Sequence, residues 1–415
     1  MTALAACAVL LIAGCSVTGS AASATTPTGS SVIKTIDPAV LRATVDATAK
    51  ELMIPGVAVE VRTPQGDFTA VSGTTRRGAD VRPGADTHFR IASITKTMTS
   101  AVIVLLAQEG KLRFSDPIAK YVANVPNGEN ITIAELLKMR SGLYGYTNDP
   151  EFAATLDAHP AKVWTPQEVL AIAFRHPPEF PPGTAYDYSN TNYALLGLVV
   201  EKVDGKPLDQ VFQDRLYGPY GLRRTTLPAT TDTSIPDPFS HGYMYGGSAF
   251  ALVDMPYPPD MQAGARAGTL QPIDYTNQNA SYAWAAGGAI STADDLATWM
   301  RDLVDGHVFN ADFQRQWLGS PQAADPAQPT APQYGYGIER QTFAPNATMY
   351  FHFGELPGFN SFSGHDPGNK VTLVIWSNLT VAPDSRPTAN VLLVKVLDLI
   401  YSLPSPSPSV TPTTR

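Results

Sequence analysis

His88-Phe89-Arg90-Ile91-Ala92-Ser93-Ile94-Thr95-Lys96-Thr97-Met98 is the stretch from which the rest of the 415-residue chain can be read. An apolar-rich segment, Thr99 to Leu112, follows at once and predicts a helix that starts near Ser93. The spacing Ser93-x-x-Lys96 sets a hydroxyl and an amine on one face of the first turn, because residues three and four apart are neighbours on a helix. The partial positive charge of a helix N-terminus disfavours a nearby ammonium, and a neutral amine beside a hydroxyl is a nucleophile–base pair. Spacing alone is weak: about one Ser-x-x-Lys match is expected by chance in a chain this long. A second copy, Ser31-Val32-Ile33-Lys34, has no helix pattern to align its groups. At Ser93 the pattern does exist, and the alternative there is a helix start with an incidental lysine.

Composition narrows the classes of function. With 44% hydrophobic residues the chain can bury a large core. Its formal net charge of −8 argues against a nucleic-acid partner, whose binding surfaces are basic. The seven histidines form no His-x-x-x-His pair, there is no Cys-x-x-Cys, and no metal or cofactor is expected. Both cysteines, Cys7 and Cys15, precede the folded part. The apolar run Ala3 to Ala13 is too short to span a bilayer and reads as a signal-peptide core. Leu11-Ile12-Ala13-Gly14-Cys15 resembles a bacterial lipobox, so residues 1–15 are expected to be a lipoprotein signal ending at a lipidated Cys15, with an ordinary secretory signal as the alternative. Residues 16–35 read as a flexible tether, 36–401 as the folded domain, and 402–415 as a disordered Pro/Ser/Thr tail.

Working outward from Ser93, Asp37-Pro38 predicts a helix start, and that helix runs to about Leu52. Gly56 to Arg62 and Phe68 to Val71 read as strands joined by a turn. Ile131 to Met139 is a short helix, Thr165-Pro166-Gln167-Glu168 a capping box, and Tyr193 to Val203 an apolar helix closed by Gly205. Residues 223–282 show little periodicity and read as long loops, with a lid as one possibility. A helix starts at Asp294-Asp295. Gln333 to Ile338, Met349 to Phe351, Phe359 to Ser363 and Val371 to Trp376 read as consecutive strands, and Ala389 to Tyr401 as a last helix. The sheet is therefore expected to be mainly antiparallel, in an α/β (α+β) fold.

Two further motifs supply chemistry. A proton must reach the leaving atom, and a tyrosine beside a lysine can carry it. Of three Tyr-x-Asn matches, only Tyr188-Ser189-Asn190 follows a Pro-Pro-Gly-Thr turn and precedes a buried helix, a rigid setting. Tyr146-Thr147-Asn148 lies in an aromatic loop where Tyr146 and Thr147 are candidates for a substrate cleft, and Tyr275 reads as a loop aromatic. His352-Phe353-Gly354 is the one His-x-Gly, placed at the end of a strand whose glycine lets a substrate backbone approach. The N–H of Glu355 could form half of an oxyanion hole with that of Ser93.

Ser-x-x-Lys, Tyr-x-Asn and His-x-Gly at 93, 188 and 352, in this order, resemble the serine β-lactamase and penicillin-binding protein family. More narrowly they resemble its branch of class C β-lactamases, D-Ala-D-Ala carboxypeptidases, D-amino-acid amidases and related esterases. The segments Phe89 to Lys96, Leu136 to Leu143, Pro182-Gly183-Thr184 and Ala286 to Thr292 resemble family blocks too, and the likeness spans about residues 36 to 401. It implies Ser93 as nucleophile, Lys96 as its base and Tyr188 as proton relay. It also implies that Asn190 and His352 polarise and orient these groups, and that Trp284 walls the cleft. The implied fold is an antiparallel sheet flanked by the N- and C-terminal helices, with a mainly helical lobe inserted. Carboxypeptidase members hold the substrate carboxylate with a cation near the Gly-x-Gly strand, yet Tyr334-Gly335-Tyr336-Gly337-Ile338 is followed here by Glu339 and only then by Arg340. No Lys-Thr-Gly, Ser-Asp-Asn or Gly-x-Ser-x-Gly is present.

The expectation is an exported, membrane-anchored, monomeric serine hydrolase that forms an acyl-enzyme, most like a D-Ala-D-Ala carboxypeptidase acting on peptidoglycan peptides. An esterase or β-lactamase acting on small esters, amides or β-lactams is the near alternative. A non-catalytic wall-binding or sensor lipoprotein on the same fold is the alternative of another class.

Overall fold

Asp37 and Pro38 start the first helix as their pairing predicts. The Asp37 carboxylate accepts the Ala39 N–H at 2.8 Å, Pro38 takes the first helical position, and α1 spans Pro38–Glu51. The computed structural model describes residues 33–402 other than 254, 326, 329 and 330. Cys15 with its lipobox, most of the tether and nearly all of the tail lie outside the described residues.

Eight strands form one antiparallel sheet. They are β1 (Gly56–Thr63), β2 (Gly66–Gly73), β3 (Gln322–Ala323), β4 (Gln333–Tyr334), β5 (Glu339–Ala344), β6 (Ala347–Leu356), β7 (Phe359–Asp366) and β8 (Val371–Ser377), in the order β2-β1-β8-β7-β6-β5-β4-β3. The first hairpin thus joins the far end of the chain through β1 and β8, where Val59 lies opposite Ile375. Alternate side chains point to opposite faces. Val57, Val59, Val61, Leu373 and Ile375 pack with Leu41 and Val45 of α1 and with Leu392 and Val396 of the last helix, α6 (Thr388–Ile400). Each such burial contributes about 1.5–3 kcal/mol. A helix cap contributes about 1 kcal/mol, so packing on the sheet is what fixes the two terminal helices.

The opposite face, with Ala58, Val374 and Trp376, belongs to a second core that continues into the helical lobe inserted between β2 and β3. The lobe contains α2 (Thr95–Gln108), α3 (Asn190–Asp204), α4 (Trp284–Gly287) and α5 (Ala293–Val304). Helix α2 is buried nearly all round, although its first turns carry Thr95, Lys96, Thr97, Thr99 and Ser100. Its hydroxyls are satisfied inside the core: Thr97 accepts the Trp299 indole N–H at 2.8 Å, which ties α5 to α2.

Several sequence readings need correction. Residues 223–282 hold short ordered pieces, including helices Ala249–Leu252 and Pro259–Ala267 and the paired strands Tyr243–Met244 and Ile273–Asp274. Their Pro and Gly content hid elements too short to show a period. The segment Gln333 to Ile338 is not one strand: β4 and β5 form a hairpin about the turn Gly335 to Ile338, whose N–H and carbonyl bond at 2.8 Å. His352 sits within β6 rather than at its end. Ser93 lies in a single 3-10 turn, Ala92–Ile94, just ahead of α2.

Candidate active site

The turn that carries Ser93 is strained and braced. Ala92 has φ +51, a left-handed conformation that non-glycine residues adopt only when their surroundings enforce it. The enforcing segment is Ala285 to Ala289. The Ile91 N–H donates to Ala289 O at 3.1 Å, the Ala289 N–H to Thr95 Oγ1 at 3.1 Å, and Thr99 Oγ1 to Ala285 O at 2.6 Å. Gly287 and Gly288 pack tightly there, since a Cβ on Gly288 would lie 2.9 Å from Trp284 O.

Lys96 opens α2 one turn on and is fully buried, whereas Ser93 keeps 8% of its surface exposed. The Lys96 Nζ lies 2.9 Å from Ser93 Oγ, 2.7 Å from Asn190 Oδ1 and 2.7 Å from Ala286 O. The two carbonyl oxygens can only accept. A neutral amine that gives its two N–H bonds to them turns its lone pair toward the Ser93 hydroxyl, which is the arrangement a general base requires.

Asn190 is set by its place at the start of α3, and its Nδ2 donates to Thr147 Oγ1 at 3.2 Å. The Lys96 Nζ is 4.8 Å from the centre of the Tyr188 ring. Tyr188 faces His352 at 6.3 Å between ring centres and meets the edge of Tyr334 at 5.9 Å. His352 is fully buried; its Nδ1 lies 2.6 Å from Phe353 O and its Nε2 3.1 Å from the Tyr334 hydroxyl. A carbonyl cannot donate, so Nδ1 carries a proton, and Nε2 shares a hydrogen bond with the Tyr334 hydroxyl. Burial first, then the nearby Tyr193, Tyr188 and Tyr186, hold the Tyr334 hydroxyl well above the ordinary value of 10, which keeps it a donor.

Strand β6 meets the nucleophile turn at Gly354. A Cβ there would lie 2.2 Å from Ile91 O and 2.4 Å from Ser361 Oγ, so only glycine permits the contact. The β5 register ends where Glu339 faces Phe351, and β6 runs on for five residues, His352 to Leu356. The Glu355 carboxylate accepts from Asn360 Nδ2 at 3.0 Å.

The structure therefore brings Ser93, Lys96, Tyr188, Asn190, Thr147, His352 and Gly354 into one neighbourhood. Two residues expected in the cleft are largely buried. Tyr146 is fully buried with its hydroxyl on Tyr282 O at 2.6 Å, so its aromatic loop is core rather than cleft wall. Trp284 is 9% exposed and turns its ring edge onto Gly197 of α3, where a Cβ would lie 2.6 Å away. Sequence reading missed Tyr334 and the Ala286 carbonyl. The glycines on either side of Tyr336 signalled a turn, which was the available clue to Tyr334; a backbone acceptor leaves no trace in residue type. Among the described residues no group of three or more His, Cys, Asp or Glu is placed to hold a metal.

A family model described as Beta-lactamase matches residues 41–398. A putative penicillin-binding protein of Bacillus subtilis is 24% identical over 80% of this chain and 72% of its own. A putative D-alanyl-D-alanine carboxypeptidase of Escherichia coli K12 is 27% identical over 82% of this chain and 80% of its own. Among solved structures, a D-stereospecific amidohydrolase from a Streptomyces species superposes with a TM-score of 0.73 at 28% identity, over 87% of this chain and 98% of that one. With the match running from α1 to α6 through every element that shapes the Ser93 neighbourhood, the chain belongs to the β-lactamase family and is a serine hydrolase.

Proposed function

We propose that the protein cleaves amide bonds that follow a D-amino acid, through an acyl-enzyme on Ser93, with D-Ala-D-Ala wall peptides as the leading substrate. Ser93 Oγ attacks the scissile carbonyl carbon while its proton passes to Lys96 Nζ. The N–H groups of Ser93 and Glu355 hold the oxyanion. Collapse expels the amine, which takes a proton through the Tyr188 hydroxyl, and water then releases the acyl group by the reverse path. The observation that carries this reading is the fully buried Lys96 amine, 2.9 Å from Ser93 Oγ and bonded also to two carbonyl oxygens.

A second reading, an amidase for D-amino-acid amides, is favoured by Glu339. Glu339 pairs with Tyr334 across the β4–β5 hairpin, and the Tyr334 hydroxyl touches His352, so an acid stands in this neighbourhood where a carboxypeptidase would need a cation. The likeness to a D-stereospecific amidohydrolase supports it as well. Chromatography of D-Ala released from a D-Ala-D-Ala peptide, beside ammonia released from a D-amino-acid amide, separates the two. Release of neither, from D substrates or their L epimers, would refute the proposal and favour a wall-binding role.

The site is proposed to work outside the cytoplasm, anchored through a lipid on Cys15, on the strength of the Leu11 to Cys15 sequence. Among the described residues no helix is long and apolar enough to cross a membrane. Incorporation of labelled fatty acid that survives Cys15→Ala would refute the anchor.

A further inference from the structure

We propose that Thr191 is a positioning residue of the reaction: its hydroxyl holds the loop that carries Thr147, Thr147 anchors the Asn190 amide, and the amide keeps its oxygen on Lys96. This rests on the reading of Ser93 given above, and it concerns a residue outside all three motifs.

Helix α3 starts without the usual capping bond. Ser189 holds the cap position, but its side chain accepts no N–H of the first turn. The turn instead reaches outward with three consecutive side chains, all directed at the loop 139–147. Asn190 Nδ2 donates to Thr147 Oγ1 at 3.2 Å. Thr191 Oγ1 donates to Tyr144 O at 2.7 Å and accepts the Tyr146 N–H at 3.2 Å, so it bridges the chain across Gly145. Asn192 Oδ1 accepts from Ser141 Oγ, which in turn accepts the Leu143 N–H at 3.1 Å. Thr191 and Asn192 are fully buried.

The proton count at Thr191 closes. Its single proton goes to Tyr144 O, and one lone pair takes the Tyr146 N–H. Among the described residues no other bond to either backbone group is found. Tyr146 directly precedes Thr147, so the bridge ends beside the Asn190 anchor. The Asn190 amide is held at both ends, with Oδ1 2.7 Å from Lys96 Nζ and Nδ2 on Thr147. Two contacts fix the plane of an amide where one leaves it free to swing. With Thr147 displaced, Lys96 would lose a fixed acceptor, one of the two that aim its lone pair at Ser93. The other ties of the loop do not replace the bridge. Ser141 grips Asn192 farther along the chain, and the Tyr146 hydroxyl fastens only the far end of its ring to Tyr282 O. The Asn148 N–H on Gly145 O, at 2.8 Å, closes the turn itself without joining it to α3.

A double-mutant cycle of Thr191→Val and Asn190→Ala, read as the acylation rate with a labelled penicillin, tests this. In the wild-type background Thr191→Val should slow acylation roughly ten-fold. In the Asn190→Ala background the amide it acts through is gone, and the further loss should be under about two-fold. Thr191→Ser, which restores the hydroxyl, should recover most of the loss. An unchanged rate in Thr191→Val, or equal losses in both backgrounds, would overturn the proposal while leaving the Ser93 chemistry standing. If Thr191→Val fails to fold, Thr147→Val takes its place, since it removes the anchor from Asn190 and keeps the bridge. It should show the same dependence on Asn190, and equal losses in both backgrounds would again overturn the proposal. A wild type that forms no acyl-enzyme at all would instead overturn the reading of Ser93 itself.

Discussion

Replacing Gly354 by alanine tests whether β6 and the nucleophile turn form one machine. The added Cβ would start 2.2 Å from Ile91 O and 2.4 Å from Ser361 Oγ, and real Cβ contacts under 3.0 Å essentially do not occur. The serine hydroxyl can rotate away. The Ile91 carbonyl cannot, because the peptide that follows it leads into Ala92 at φ +51 and because the Ile91 N–H is bonded to Ala289 O. Backbone must therefore separate by about 0.8 Å, two residues from Ser93 and one from Glu355. A misplacement near 1 Å costs on the order of 100-fold in rate. Overpacking costs about 1–3 kcal/mol of stability. Stopped-flow acylation with a chromogenic ester, beside a thermal melt, measures both effects. An alanine variant that acylates at the wild-type rate and melts at the wild-type temperature would refute the close approach of β6 to the nucleophile turn.

Three further outcomes follow from other parts of the structure. Lys96→Met keeps the buried stem but removes the amine; acylation should fall about 10²–10⁴-fold, and the bared Asn190 and Ala286 oxygens should lower the melting temperature. Tyr146→Phe should cost about 1–2 kcal/mol through the lost bond to Tyr282 O and leave acylation within about two-fold, which separates a core tyrosine from a cleft tyrosine by one melt and one rate. Desolvation first and the Asp187 charge second lift the Glu179 carboxyl from its ordinary 4.5 to about 7. Because the folded value is the raised one, its contribution to stability is complete below 4.5 and lost as pH rises through about 7, so the melting temperature should slope down across that window and slope less in Glu179→Gln.

Which parts of this were legible in the sequence follows from how each is encoded. Caps and terminal helices announce themselves through local chemistry: Asp37-Pro38, the Thr165 to Glu168 box and Gly205 all act within one turn, and each is found where it was expected. Long apolar strands such as β8 show through burial on both faces. The short elements between 223 and 282 were missed because their positions are set by pairing across distant segments, as when Tyr243 pairs with Asp274, and not by local periodicity. The same limit explains the site. Ser93, Lys96, Tyr188 and His352 belong to spaced motifs and could be named; the Ala286 carbonyl and Tyr334 matter through tertiary placement alone. Tyr146 illustrates the converse error, since an aromatic in a loop looks exposed until the loop turns out to be packed under Phe152 and Tyr282.

The central claim is that Ser93 carries the acyl group. Incubation with a penicillin, intact mass measurement and tryptic mapping test it directly. The account predicts one added penicilloyl mass, located by fragmentation on Ser93 within the peptide Ile91 to Lys96, and none in Ser93→Ala. A wild type that acquires no adduct, or an adduct that persists in Ser93→Ala, would contradict it.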